Sequence, residues 1–163
     1  QAYQYSKSDD GIPETVTYVK DINNRLDQFV GTWKGSYNGK NYEFKFIKKL
    51  NYTKYTVKWD KLIGRILIKD SNGNIIYNTM NESDDNTMFW GYQLQTRAYV
   101  MSFVYNSYCN DSGDIFIEVR KNNSNEMTLY FYKDGGLYNP AKCPNYDTYV
   151  PLLPKDKIVL TKQ

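Results

Sequence analysis

From Phe29 to Lys162 apolar and polar residues alternate with a period of two, and clusters of Asn, Asp, Ser and Gly interrupt the alternation roughly every ten residues. Successive side chains of an extended chain point to opposite faces, so this period predicts half-buried strands joined by turns. The clearest hairpin is FVGTWKGSY-NG-KNYEFKFIKK. Asn38 and Gly39 supply the two positive-φ residues of a type I′ turn, which sets Trp33 opposite Phe44, Gly35 opposite Tyr42 and Gly31 opposite Phe46 on one face. The other face carries Thr32, Lys34, Ser36, Glu43 and Lys45. The next stretch, YTKYTVKWDKLIGRILIK, predicts a second hairpin turning at Asp60-Lys61, with Trp59 opposite Leu62, Val57 opposite Gly64 and Tyr55 opposite Ile66.

Further strands follow as IIYNTM, MFWGYQLQ, TRAYVMSFVYN, DIFIEVRK and EMTLYFYK, and KIVLTK comes after a long loop at 134–156 that holds Cys143 and four of the five prolines. In one hairpin Ile115, Ile117 and Val119 must meet Met127, Leu129 and Phe131. All six are odd-numbered, so an odd loop is needed, and Asn122-Asn123-Ser124 is expected as a three-residue turn with an Asn in the left-handed region. Upstream, residues 1–12 are polar and aperiodic and read as a loosely held arm. Asp21 is placed to cap one or two helical turns carrying Ile22, Leu26 and Phe29. The chain thus divides into an arm with a short helix, 1–27, and a β-domain, 28–163.

About ten short strands with mostly short connections predict an all-β fold, a single antiparallel up-and-down barrel of about 8–10 strands. A two-sheet sandwich is the alternative. Closure is favoured because it removes exposed edges. The inward set is Trp33, Tyr42, Phe44, Phe46, Tyr55, Val57, Ile66, Phe103, Ile117 and Leu129.

The length of 163 residues fits one domain. A net charge of +3, evenly spread, points away from nucleic acid as a partner, and no apolar run is long enough for a membrane span. With no His in the chain, the usual general base, the Ser/His and Cys/His pairs and the commonest zinc ligand are missing, so an enzyme is disfavoured and no cofactor is expected. NESDDN at 81–86 offers oxygen ligands for calcium but lacks the spaced pattern of a calcium loop, so no metal is assigned. Tyr and Asn each occur 17 times and Lys far outnumbers Arg, a bias that A/T-rich codons produce. Aromatic abundance alone is therefore no argument for a carbohydrate platform.

Cys109 and Cys143 lie in loop-like contexts where an exposed thiol would be a liability in an oxidising compartment, so they are expected to pair. Two unpaired cytosolic thiols are the alternative. The chain begins with Gln1 and shows no apolar leader core, which fits a mature form whose leader has been removed, or a trimmed chain. A secreted or periplasmic location is expected.

Gly31-Thr32-Trp33, preceded by a short helical turn, resembles the Gly-x-Trp motif that opens lipocalins and related calycin barrels. More broadly, YVKDINNRLDQFVGTWKGSYNGKNYEFKF and WDKLIGRILIKDSNGNIIY resemble an uncharacterised family of small secreted bacterial lipocalin-like proteins, over about the first half of the chain. The resemblance implies export and a calycin-like barrel, with Gly31 and Trp33 as structural residues of one barrel end, and brings no active site. The Thr-Asp-Tyr motif of lipocalins proper is absent. Arg65, Arg97 and Arg120 are the candidates for the arginine that packs over the motif Trp in that family.

Two functions follow. The leading expectation is a secreted, monomeric, non-enzymatic protein that holds a small apolar or amphipathic ligand, with Tyr42, Tyr55, Trp59, Trp90 and Tyr92 as its lining and Gly31, Gly35, Gly64 and Gly91 leaving it room. The alternative is a solid barrel that binds a protein partner, for example an enzyme it inhibits, through Tyr138, Tyr146, Tyr149, Leu152 and Leu153 of the long loop. Internal volume separates the two, since a drug-sized ligand needs a pocket of about 300 Å³ or more.

Overall fold

The computed structural model describes residues 13–52 and 56–163; the arm at 1–12 and Tyr55 lie outside the described residues. Ten strands form one sheet: β1 (Tyr18–Val19), β2 (Gly31–Tyr37), β3 (Lys40–Tyr52), β4 (Lys58–Lys69), β5 (Ile75–Asn78), β6 (Phe89–Leu94), β7 (Tyr99–Asn106), β8 (Asp111–Arg120), β9 (Asn123–Lys133) and β10 (Ile158–Lys162). Eight of them close into an antiparallel barrel, with β10 pairing back to β2 and β6 to β4. The two extra strands, β1 and β5, pair with β4. Among the described residues helix is limited to single 3-10 turns such as Asp27–Phe29.

The first hairpin forms in the expected register, Trp33 with Phe44, Gly35 with Tyr42 and Gly31 with Phe46, around Asn38 and Gly39 at φ of 46° and 75°. The second does not turn at Asp60-Lys61. Strand β4 runs straight through those residues, and the connection falls between Tyr52 and Lys58, so that Trp59 pairs with Tyr52, Gly64 with Phe46 and Ile66 with Phe44. Asp60 stays in the strand because its buried carboxylate accepts hydrogen bonds from the Tyr18 hydroxyl (2.6 Å), the Asp21 amide (2.9 Å) and the Asn51 amide (3.0 Å).

Hairpin β8–β9 keeps the odd-to-odd match of Ile115 with Phe131, Ile117 with Leu129 and Val119 with Met127. It does so without the expected three-residue turn. Arg120 pairs with Asn123 across Lys121-Asn122, and a register shift between Val119 and Arg120 absorbs the odd count. Neither Asn122 nor Asn123 has a positive φ, since a bulge performs the same adjustment. Upstream, Asp21 caps its turn by accepting from the amides of Arg25 and Leu26, both at 2.9 Å. Leu26 and Phe29 enter the core, but Ile22 is exposed, because the segment is broken turns and not a helix with a continuous apolar face.

Inside the barrel Trp33, Tyr42, Phe44, Phe46, Ile66, Phe103, Ile117 and Leu129 are all buried in one cluster, while Val57 is half-buried ahead of β4. Phe89 stands edge-on to Phe44, Phe46 and Phe103, and Phe103 edge-on to Phe131, so rings fill the axis. Gly64 and Gly91 do not open room inside the barrel. A Cβ at Gly64 would lie 2.2 Å from the Phe89 ring, and one at Gly91 would lie 2.1 Å from the Tyr99 ring. Each missing side chain is the space that an aromatic ring occupies.

Gly64→Ala is therefore expected to destabilise the fold by about 2 kcal/mol or more in urea titrations, because a rigid ring cannot move aside in a close-packed core. Gly135→Ala, where a Cβ meets nothing within 4 Å, should stay within about 0.5 kcal/mol of the parent.

Candidate functional site

One barrel end is closed by the chain's own core. Trp33 is fully buried there, and its indole Nε1 donates to the Phe29 carbonyl at 2.8 Å. The cation over the ring is Lys162 of β10, with its ammonium 5.3 Å from the centroid. Two of the three arginines considered for that place are engaged elsewhere. Arg65 lies buried against the β5–β6 connection, where it donates to Asp84 (2.7 Å) and to the Glu82 carbonyl (3.1 Å), and Arg120 pairs with Glu126. Asp84 also pairs with Lys49, which commits the one polar loop with calcium-like composition to ion pairs. Among the described residues no group of three or more His, Cys, Asp or Glu side chains is placed to hold a metal ion.

The opposite end is closed by the loop at 134–156. Cys109 and Cys143 form a disulfide with a Cα separation of 5.3 Å, tying this loop to the β7–β8 connection. A closed loop of 34 residues is worth on the order of 4 kcal/mol by chain entropy. Leu152 and Leu153, expected to face a partner, are instead buried in the core cluster and stopper the barrel mouth. Asp111 holds them there: its fully buried carboxylate accepts from the Leu152 amide (2.9 Å) and the Tyr149 hydroxyl (2.8 Å), and its Oδ1 has no partner among the described residues. Burial and the bond to Asp111 push the Tyr149 phenol well above its ordinary value. Outside this stopper the same end presents Leu137 (97% exposed), Val150 (75%), Tyr108, Tyr132 and Tyr138 to solvent. Tyr138 stacks on Tyr146 at 3.8 Å, and the Lys142 ammonium sits 4.2 Å from the Tyr108 ring centre.

Of the expected lining residues, the fold brings two together. Trp59 and Tyr92 line a cleft of about 90 Å³ in the barrel wall, with Val19, Ile22, Leu26, Leu94 and Tyr99. Tyr42 lies in the core beside Phe44 and, with Gly35, borders an open pocket of about 440 Å³ on β2, β3 and β4, apart from the cleft, and Trp90 is half-buried opposite Ile63. Tyr55 lies outside the described residues.

The cleft has a topological cause. Strands β4 and β6 share the single pair Ile63 and Trp90, and beyond it β4 takes β1 as its neighbour at Lys58 and Trp59. A bulge between Gly91 and Gln93 carries β6 away, and where it no longer reaches, the Tyr99 hydroxyl crosses over Gly91 and accepts from the Leu62 amide at 3.2 Å. The segment at 19–26 covers the gap, and the Arg25 guanidinium fastens it by donating to the carbonyls of Gln95 (3.0 Å) and Thr96 (3.3 Å). Burial, then a hydrogen bond to Asp114, pushes the Tyr92 phenol up to about 12.

Gly91 and the polar residues Lys20, Asp21, Asn23, Arg25, Asp60 and Lys61 complete the lining. The sequence reading missed this polar set, because a strand pairing that stops after one bridge leaves no mark in hydropathy. The carboxylates are structural. Asp60 serves the three donors described above, and Asp21 caps its turn and pairs with Lys48 at 3.0 Å. Burial pushes the Lys61 ammonium below the usual lysine range, and no carboxylate counters it.

Comparison of the chain with protein-family models, with curated proteins and with solved structures gives no match.

Burial works to raise the Asp21 carboxyl, but the Leu26 amide, the Lys48 ammonium and the Arg25 amide outweigh it and hold the group below its ordinary 3.8. A depressed carboxyl contributes stability above its unfolded pKa and loses it as pH falls through the folded value. Asp21→Asn should thus cost about 1 kcal/mol at pH 6, and the gap should narrow below about pH 4 in urea titrations. A gap that persists unchanged to pH 3 would contradict this account.

Proposed function

We propose that the protein is a non-enzymatic, exported binding protein whose solid barrel is a scaffold and whose disulfide-bearing end docks a protein partner. The observation that carries this reading is the filled axis: rings from β3, β6, β7 and β9 meet across the barrel, and Leu152 and Leu153 stopper its mouth. A ligand held within the barrel would need room that these side chains occupy, so binding moves to the surface.

The disulfide-bearing end has the make-up of such a surface. Leu137, Val150, Tyr108 and Tyr138 are exposed on the two segments that the disulfide joins, and stacking on Tyr146 and the Lys142 contact hold the tyrosines in place. Tyrosines already held by such contacts lose little entropy on binding. The disulfide supports an oxidising compartment, and the lack of His supports a role without catalysis. Eight-stranded closure and the Gly31-Thr32-Trp33 opening support a calycin-like relationship.

Native mass spectrometry of the protein purified from its own source is expected to show a stoichiometric protein partner. Leu137→Asp and Val150→Asp should each weaken that complex by about 30-fold while leaving the melting temperature unchanged. A co-purifying small molecule with no protein partner, or a complex indifferent to both substitutions, would refute the reading.

A further inference from the structure

The cleft between β4 and β6 lies on the barrel wall, apart from the disulfide-bearing end, and its charge balance is unusual. Lys61 is half-buried, and among the described residues its ammonium has neither a carboxylate nor a carbonyl partner. An ammonium partly withdrawn from water with no acceptor among the described residues is less well solvated than a surface lysine, and an incoming anion offsets that loss. The two carboxylates in the lining cannot serve, because Asp60 is turned to Tyr18, Asp21 and Asn51, and Asp21 to Arg25, Leu26 and Lys48. Arg25, at the mouth, uses only its Nη2 and keeps other N–H groups available.

The rest of the wall sets the shape and polarity of what fits. Val19, Ile22, Leu26, Trp59 and Leu94 are apolar or aromatic, and a volume of about 90 Å³ holds a short chain or one ring. Asp21 and Asp60 at the edge disfavour a dianion such as phosphate. We propose that this cleft binds a small organic monoanion, a carboxylate bearing a short apolar or aromatic group, with the carboxylate on Lys61 and the apolar part against Trp59 and Leu94. This site is separate from the docking surface proposed above, and either can stand without the other.

Hexanoate, hexan-1-ol and hexylamine, titrated into the full chain with its disulfide intact and followed by ¹H–¹⁵N NMR, test it. Hexanoate should shift the amides of Lys61, Gly91, Tyr92 and Leu94 and the Trp59 indole in a saturable way, and bind at least about tenfold more tightly than hexan-1-ol, as a charge-assisted hydrogen bond requires. Lys61→Met should bring hexanoate down to the level of hexan-1-ol while leaving hexan-1-ol binding unchanged, which shows that the cleft still forms; Lys61→Arg should retain the preference. Equal binding of the acid and the alcohol, tighter binding of the amine, shifts elsewhere on the barrel, or a hexanoate affinity untouched by Lys61→Met would overturn the proposal.

Discussion

Two aromatic rings of the core lie where the residue beneath each has no Cβ, and the packing of the barrel depends on those two close approaches. Phe89 fits because Gly64 leaves its space, and Tyr99 fits because Gly91 does. With those rings seated, Phe44, Phe46, Phe103 and Phe131 close around them edge to face, and no axial room remains for a guest. Alanine at either glycine would clash with the ring seated there, which has nowhere to move.

Tyr99 links this packing to the wall. Its hydroxyl serves the Leu62 amide at the point where β6 leaves β4, so the strand that opens the cleft does not leave a buried donor unpaired. On the outer face, Arg65 and Lys49 gather the β5–β6 connection through Asp84, and the Thr79 hydroxyl accepts from the Ile66 amide at 3.0 Å. Side chains therefore complete an edge that backbone pairing covers only in part. Asp111 has the equivalent task at the mouth, where one buried carboxylate positions the stopper.

The barrel was legible because its signals are local. Asn38-Gly39 specifies both a turn and a register, and the odd-numbered apolar residues of β8 and β9 specify a face whatever the turn between them. What was misread depends on partners distant in sequence. Asp60-Lys61 looks like a turn until Tyr18 and Asn51 are brought to the carboxylate. A glycine is a vacancy in sequence and a socket in the fold, and the distinction lies in a ring 25 residues away for Gly64 and Phe89. Leu152 and Leu153 sit in a proline-bearing loop that reads as surface, yet the loop folds back over the mouth. Trp59 and Tyr92 could be named from their place near the rim, whereas Lys61 gains meaning only from where two strands part.

A cylinder joined along one side by a single backbone bridge has a preferred line of rupture. Seven of the eight strand junctions in the barrel are held by two or more residue pairs, and the junction of β4 with β6 by one, Ile63 with Trp90, helped by side-chain bonds from the Leu62 amide to Tyr99 and from Thr87 to the Gly64 carbonyl. Fluctuations that expose the interior without unfolding the sheet will follow that line, so the amides flanking it exchange with solvent ahead of those in β3 or β8. The staple at the mouth does not restrain it. The barrel is in this sense anisotropic, locked at its disulfide-bearing end and able to breathe along one flank.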